Sequence, residues 1–274
     1  MTQSAEFQVL SHDQVQFRRQ LACTCEQAWP MFSRPKKLAA WFLPVTAFEA
    51  RLGGRYTIHS DNGGLDGTLT EFATPHLINF DGKMRFELSE ATNHACTVTF
   101  TLPRGDIGWI PSTLASFQTM LDNLELLVAG QPALERPAYM KAWRLHYPSV
   151  EAELSNALAN GAKLVHRLHF PAGEDKPAGD SAGQAETQSI VELLKSNPAL
   201  PLAIDGFADE PLDRTKAFRL SQRRAEIVKR HLVESGIAAS RITTRAFGNY
   251  YRLHAGRDEE ATRLNRRVEL IPLY

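Results

Sequence analysis

The sequence has 274 residues, 43% hydrophobic and 23% charged, which is close to the average for globular proteins and excludes a disordered or fibrous chain. Its 31 basic residues balance 31 acidic ones, so no net charge draws the molecule to nucleic acid or to an anionic membrane. At roughly 100–200 residues per domain, this length predicts two domains.

The start of the chain, "MTQSAEFQVLSHDQVQF", lacks the basic and apolar regions of a secretory signal. The best apolar run, Leu38–Phe48, is too short for a membrane span. We therefore expect a cytoplasmic protein without an integral membrane segment. The alternative is a periplasmic protein whose export signal is missing from this chain. The three cysteines, Cys23, Cys25 and Cys96, are interpreted as buried thiols, since no histidines cluster with them to form a metal site.

The first half of the chain predicts an antiparallel sheet with one long helix. "DQVQFRRQLAC" predicts a strand, and "CEQAWPMFSRPKKLAAWF" predicts two short helices that meet near Pro35. From Phe48 to Leu102 apolar and polar residues alternate between turns, which is typical of a meander. "PSTLASFQTMLDNLELLVAGQ" then predicts an amphipathic helix that begins near Pro111 and ends before Gly130.

Several features of this half occur together in one known family. They are Trp29, Trp41, the turn "LGGRY" at Gly53–Gly54, "GTLTEFATP" from Gly67, and "GW" at Gly108–Trp109. In this order they resemble the START-like superfamily, in particular the group of the Hsp90 ATPase activator. The resemblance implies a helix-grip fold around a hydrophobic pocket. The candidate lining residues of that pocket are Trp41, Phe100, Trp109 and Met120, and the alternative favoured for each is packing in the core.

Polar side chains of this half form no catalytic pattern. The spacing brings no nucleophile, base and orienting group together among His59, Asp61, Asp66, His76 and His94. We therefore predict no catalytic residue, no metal site and no cofactor.

The middle of the chain is interpreted as a connection. Pro132, Pro137 and Pro148 are expected to interrupt it, and "SVEAELSNALANGA" predicts a helix that ends at Gly161. The alternative is that these residues pack as an extra helix on one of the domains. The predicted boundaries are 1–130 for the helix-grip domain, 131–160 for a helical linker and 161–274 for the second domain.

The last segment predicts the element order β-α-β-α-β-β, a small α/β sandwich with the helices on one face of the sheet. Its strands are "KLVHRLHF", "LPLAIDGF", "RITTRAFG" and "RRVELIPLY". The longer helix is expected to have Asp213 as its N-cap and to end at Gly236. The whole chain is thus assigned to the α+β class.

One arginine falls within the apolar stripe of that helix. Arg224 lies among Leu220, Val228 and Leu232 at helical spacing. A buried arginine left without a counter-ion costs roughly 3–5 kcal/mol, so a carboxylate partner is expected, and Asp209 is the natural candidate. The pair is interpreted either as a structural ion pair or as a ligand clamp.

The segment from Lys163 to the C-terminus resembles the OmpA-like, peptidoglycan-associating domain. The matching stretches are "IDGFAD", "RLSQRRAEIV" and "NRRVEL". In that family an aspartate and an arginine fifteen positions apart hold the zwitterionic end of diaminopimelate, and Asp209 and Arg224 keep this separation. The resemblance also implies contributions from Asn265 and Arg267. The chain departs from the family pattern at Phe207, Ala208, Leu212 and Ala217.

These observations favour a non-enzymatic, two-module binding protein. Its helix-grip domain is expected to hold an apolar small molecule or a protein partner, and its OmpA-like domain a peptidoglycan stem peptide. The alternative is a chaperone-associated or scaffold protein with a degenerate OmpA-like domain, and a less favoured one is an enzyme that uses the helix-grip cavity. The basic residues of the helix around Arg224 are interpreted as a solvated face, so no nucleic acid partner is expected. The sequence predicts no oligomeric state.

Overall fold

The structure of the protein, a computed structural model, describes residues 6–11, 14–60, 63–91, 94–103, 111–157 and 163–273. The chain divides into two units, Met1–Ala157 and Leu158–Tyr274. Within the described residues, no helix combines the length and the apolar character needed to cross a membrane.

The first unit contains one antiparallel sheet of eight strands. In the order β1-β2-β8-β7-β6-β5-β4-β3, each strand pairs with its neighbours. The strands are β1 Glu6–Ser11, β2 Gln14–Leu21, β3 Val45–Phe48, β4 Arg55–Ser60, β5 Gly63–Ala73, β6 Leu77–Phe80, β7 Met84–Ala91 and β8 Ala95–Pro103. The predicted meander is confirmed from β3 to β8, because alternating side chains of these strands face a common core.

Three short helices, not the predicted two, connect β2 to β3. They are α1 Cys25–Ala28, α2 Pro30–Ser33 and α3 Pro35–Trp41. Thr24 and Gln27 form a capping box at the start of α1. Pro30 and Pro35 each stand in the first turn of a helix, where a missing N–H costs nothing. The additional helix is α2, because Pro30 begins a new helix within the stretch predicted as one helix before Pro35.

Two long helices, α4 Pro111–Val128 and α5 Arg136–Ala157, complete the first unit. The prediction that prolines interrupt the connection is wrong for Pro137 and Pro148, which lie within α5, whereas Pro132 lies in the non-helical stretch before it. Its buried residues, Met140, Trp143, Tyr147, Val150 and Leu154, outweigh one lost backbone hydrogen bond. Trp143 Nε1 donates to the Ser112 carbonyl of α4 over 3.1 Å. The helix therefore packs in the first unit rather than lying in a linker.

A charge cluster joins the sheet to both helices. Arg19 of β2 donates to Asp122 and to Glu125 of α4, over 2.6 Å in each case. His146 Nε2 of α5 lies 2.7 Å from the second Asp122 oxygen. Burial raises the pKa of Asp122, but the hydrogen bonds and charges of His146 and Arg19 lower it more, so the net pKa is below the ordinary value. Asp122 thus links three elements through one carboxylate.

The described residues of the second unit form a four-stranded sheet with three α-helices and one 3-10 turn, Ala239–Arg241. Its elements are β9 His166–His169, α6 Ser181–Ser196, β10 Leu202–Gly206, α7 Arg214–Glu234, β11 Ile242–Ala246, α8 Glu259–Asn265 and β12 Arg267–Pro272. The sheet order is β11-β10-β12-β9, with β10 parallel to β11 and antiparallel to β12. The predicted order of strands and long helices is confirmed, and Asp213 caps α7 as expected. The short helix α8 was not predicted.

A row of four charged residues, two acids flanked by two arginines, crosses this sheet. The register places Asp205 opposite Arg245 on one side and Glu269 on the other, and Glu269 opposite Arg167. Arg245 donates to both Asp205 oxygens over 2.8 and 2.6 Å. Because Asp205 and Glu269 are fully buried, these arginines supply the counter-charges that burial requires.

Candidate binding site at the end of strand β10

The candidate site is built where β10 ends and the chain turns toward α7. Gly206 closes the strand, and a Cβ atom there would stand 2.1 Å from the Ser221 carbonyl oxygen of α7. Only glycine permits this close approach of strand and helix. The amides of Phe207 and Ala208 donate to the carbonyls of Arg267 and Gly248, at 2.9 and 2.7 Å. These contacts fix the direction in which the next two residues, both acidic, leave the sheet.

Arg224 of α7 is fully buried, and each of its five N–H groups is used. Nε donates to the Glu174 carbonyl over 2.9 Å, and two further bonds reach the carbonyls of Phe207 and Pro171. The remaining two go to the Glu210 carboxylate, the shorter at 2.5 Å. A carboxylate partner was correctly expected, but the prediction that it is Asp209 is wrong. The partner is the adjacent residue, because that side chain turns toward α7.

Glu210 is itself anchored by backbone donors. The amide of Asp209 donates to one of its oxygens over 2.9 Å, and the amide of Gly173 donates to the other over 3.3 Å. The loop after β9 thus contributes two of the three carbonyls that bind the arginine and an amide for its counter-ion. This arrangement makes the Glu210–Arg224 pair a fixed part of the fold.

Asp209 faces a different cation. Its Oδ2 atom accepts a hydrogen bond from Asn265 Nδ2 over 2.8 Å, and its Oδ1 atom forms an ion pair with Arg252. Burial raises the pKa of the Asp209 carboxyl above its ordinary value, more than Asn265 and Arg252 lower it. The His254 amide also donates to Asn265 Oδ1 over 2.9 Å, and Asn265 Nδ2 donates to the His254 carbonyl over 2.8 Å. The segment between β11 and α8 is therefore held against the strand end.

Arg267 lies beside this group at the start of β12. Its guanidinium stands 3.7 Å from the centroid of the Phe207 ring, which stacks on Phe247 at 5.1 Å. Nε donates to Glu269 over 2.9 Å, and Nη1 donates to the carbonyl of Tyr251 over 3.1 Å. Nη2 is buried and makes no hydrogen bond to any described residue. Phe207, one of the departures from the family pattern, thus provides a cation–π contact to Arg267.

The other departures form an apolar patch. Ala208, Ala217 and Leu220 pack as one buried cluster, with the partly buried Leu212 against it. Apolar contacts therefore form at Ala208, Leu212 and Ala217, three of the positions that depart from the family pattern.

Of the predicted site residues, Asp209 and Asn265 are hydrogen-bonded to each other, Arg267 donates to the Asn265 carbonyl, and Arg224 pairs with the adjacent Glu210. Sequence reasoning missed two of the charged members, Glu210 and Arg252. The adjacent carboxylates of "ADEP" were a signal for the first. No local pattern marks the second, because it reaches the site from an irregular segment more than forty residues along the chain.

The candidate lining residues of the helix-grip domain have separate positions. Trp41 and Phe100 are 2% and 1% exposed and belong to an aromatic cluster. Phe86 stacks on Phe100 at 4.3 Å and meets Trp41 edge-on at 5.8 Å. Met120 is half-buried on α4, and Trp109 lies outside the described residues. Neighbouring rings therefore fill the space beside Trp41 and Phe100.

Two cysteine thiols meet at the edge of this domain. The Sγ atoms of Cys25 and Cys96 lie 2.8 Å apart, and both residues are fully buried. Burial raises the pKa of Cys25 to about 11 and raises that of Cys96 further. Across the described parts of the chain, no three His, Cys, Asp or Glu side chains gather as metal ligands.

Comparison with known proteins identifies both units. The model of the OmpA family matches residues 174–266. The peptidoglycan-associated lipoprotein of Pseudomonas aeruginosa is 33% identical over 122 residues, which are 44% of this chain and 70% of that protein. The chain belongs to the OmpA family. The model of the activator of Hsp90 ATPase homolog 1-like protein matches residues 22–114, so the resemblance of the first half is confirmed too.

Other similar proteins match this OmpA-family chain over very different shares of their length. Outer membrane porin F of Pseudomonas fluorescens is 30% identical over 95 residues, which are 35% of this chain and 29% of the porin. The structure of the peptidoglycan-associated lipoprotein from Burkholderia pseudomallei is 27% identical, with a TM-score of 0.37, and the match covers 39% of this chain and 89% of that one. The chain therefore spans less than a third of the length of the porin.

Proposed function

We propose that the protein is a non-enzymatic, two-module binding protein whose OmpA-like unit binds the diaminopimelate end of a peptidoglycan stem peptide at Asp209. The observation that carries this proposal is the carboxylate of Asp209, oriented by Asn265 and paired with a cation at the end of β10. A carboxylate in this setting suits an ammonium group. The relatives named peptidoglycan-associated lipoprotein support the same ligand class and a periplasmic location.

Arg224 takes a supporting part in this proposal. Its five N–H groups are all engaged within the chain, so it holds Glu210 and the loop after β9 in position. A ligand carboxylate would reach it only after Glu210 moved. The ammonium end of the ligand is therefore the end that Asp209 recognises directly.

Calorimetric titration of the full chain with a diaminopimelate-containing stem tripeptide tests this function. We expect saturable binding that is lost in Asp209→Asn, because the substitution removes the charge and keeps the shape. Glu259→Gln, on the exposed face of α8, is the matched control and should bind as the wild type does. Equal binding by Asp209→Asn and wild type would reject the site.

A scaffold role with a degenerate OmpA-like unit is the second candidate. Two observations favour it. Ala208, Ala217 and Leu220 form an apolar cluster, and all N–H groups of Arg224 are engaged within the chain. For the first unit, the ring packing around Phe100 favours a protein partner over a small apolar ligand. Direct binding of purified Hsp90 to the full chain tests this role, with bovine serum albumin as the control protein. Binding of Hsp90 but not of the tripeptide would select the scaffold.

A further inference from the structure

The two charged residues that occupy the site are held in different ways. The side chain of Glu210 is 6% exposed and accepts hydrogen bonds from two backbone amides as well as from Arg224. The side chain of Arg252 is 22% exposed and extends from the irregular segment between β11 and α8. Glu210 is therefore fixed, whereas the partly exposed Arg252 can turn toward solvent, and the fully buried Asp209 carboxylate then needs another cation.

The Asp209 carboxylate has room for one cation. Asn265 Nδ2 occupies Oδ2, and Arg252 pairs with Oδ1. An ammonium group that approaches Asp209 needs the same oxygen and the same negative charge. Two cations at one oxygen would repel each other in a buried setting, so Arg252 and a ligand ammonium exclude one another.

We infer that Arg252 is an intramolecular competitor, whose guanidinium occupies Asp209 until a ligand bearing a primary ammonium group displaces it. This inference rests on the proposed function, because it assumes that the ligand binds at Asp209. Arg252 thereby sets the affinity of the site: a weakly bound ammonium ligand is rejected, and only a ligand with further contacts replaces the guanidinium.

The size of the effect follows from the fraction of molecules with a free Asp209. The apparent dissociation constant equals the intrinsic one divided by that fraction, so a competitor that occupies about nine molecules in ten weakens binding about tenfold. Removing the guanidinium should therefore tighten the binding of the ligand by the same factor. A lysine at the same position should keep most of the competition, because it brings a cation to the same place.

The test is calorimetric titration of the full chain, as wild type and as Arg252→Gln, Arg252→Lys and Arg257→Gln, with the diaminopimelate stem tripeptide. Arg257 is exposed on the same segment, so its substitution matches the loss of charge. We expect Arg252→Gln to bind on the order of tenfold more tightly than wild type. Arg252→Lys and Arg257→Gln should stay within about threefold of wild type. Far-UV circular dichroism confirms that each variant is folded.

Three distinct outcomes would overturn the inference. If wild type binds and Arg252→Gln binds equally or more weakly, Arg252 does not compete, and the proposed function stands. If no variant binds the tripeptide, the proposed function fails, and the competition fails with it because there is no ligand to displace the guanidinium. A tenfold gain that Arg257→Gln also produces would trace the effect to general charge and likewise reject Arg252.

Discussion

In the first unit the rings of Phe86, Phe100 and Phe117 pack between the sheet and α4, at centroid distances from 4.3 to 5.2 Å. In the second unit, charged groups surround the end of β10, and Arg224 and Glu269 are as buried as any leucine. Aromatic packing tolerates approximate geometry, but a buried charge must have its partners in place. The comparison shows that the second unit, at its candidate site, depends on buried charged side chains that each have a specific partner.

The largest effect is expected from removing a ring in the first unit. Phe86→Ala should lower the free energy of unfolding by about 3–5 kcal/mol, because Phe86 is fully buried and contacts several rings. All four tryptophans precede residue 158, so tryptophan fluorescence during denaturation follows this unit. Phe86→Leu, which refills most of the space, should cost clearly less. A cost of Phe86→Ala below about 1 kcal/mol would contradict tight packing here.

The next effect is expected from the fixed ion pair in the second unit. Glu210→Gln should cost about 3 kcal/mol, because Arg224 would remain buried without a counter-ion. Far-UV circular dichroism should detect the loss, whereas the tryptophan transition should stay in place. Glu259→Gln provides the exposed control and should change stability by less than about 0.5 kcal/mol. If Glu210→Gln were equally harmless, Arg224 would not depend on this pair.

A smaller and pH-dependent effect is expected from the charge cluster of the first unit. Asp122→Asn should cost about 1–2 kcal/mol at pH 7, because it removes hydrogen bonds between charged groups. The folded pKa of Asp122 is lowered, so its contribution is complete above the ordinary aspartate pKa of about 4 and is lost as the pH falls through the folded pKa. The denaturation midpoints of the wild type and Asp122→Asn should therefore differ by the same amount at pH 7 and at pH 5. In stronger acid the two midpoints should converge. Convergence already at pH 5 would assign the effect to another group.

The smallest effect concerns thiol reactivity and leaves stability unchanged. With a pKa of about 11, Cys25 carries only about one thiolate per thousand thiols at pH 8. The half-buried Cys23 should therefore react first with an aromatic disulfide reagent, and Cys25 and Cys96 should react only after denaturation. In Cys23→Ser, no fast phase should remain. A fast phase in that variant would show that one of the buried thiols is open to solvent.

Much of the fold could be predicted from the sequence, because the period of apolar residues is a local property. The meander and the helices α4 and α7 follow from it directly. Only the second half of helix α5 was predicted, since prolines argue locally against a helix while burial of Trp143 and Tyr147 is a tertiary effect. Ser112 and Thr119, polar residues of α4, are also buried as a result of tertiary packing.

The site was predicted only in part, for a comparable physical reason. The need of Arg224 for a carboxylate follows from its place in the apolar stripe, and the resemblance gave Asp209 and Asn265. Which of two adjacent carboxylates meets the arginine depends on the direction in which the chain leaves β10. The arrival of Arg252 depends on a segment without periodic structure, and no sequence pattern predicts it.

Sedimentation with purified peptidoglycan sacculi tests the central claim, a cell-wall site at Asp209, most directly. The wild-type chain and Asp209→Asn are each mixed with sacculi and centrifuged, and the protein in the pellet is measured. We predict that the wild type sediments with the sacculi and that Asp209→Asn stays in the supernatant. Equal amounts of both proteins in the pellet, or neither protein there, would contradict the claim.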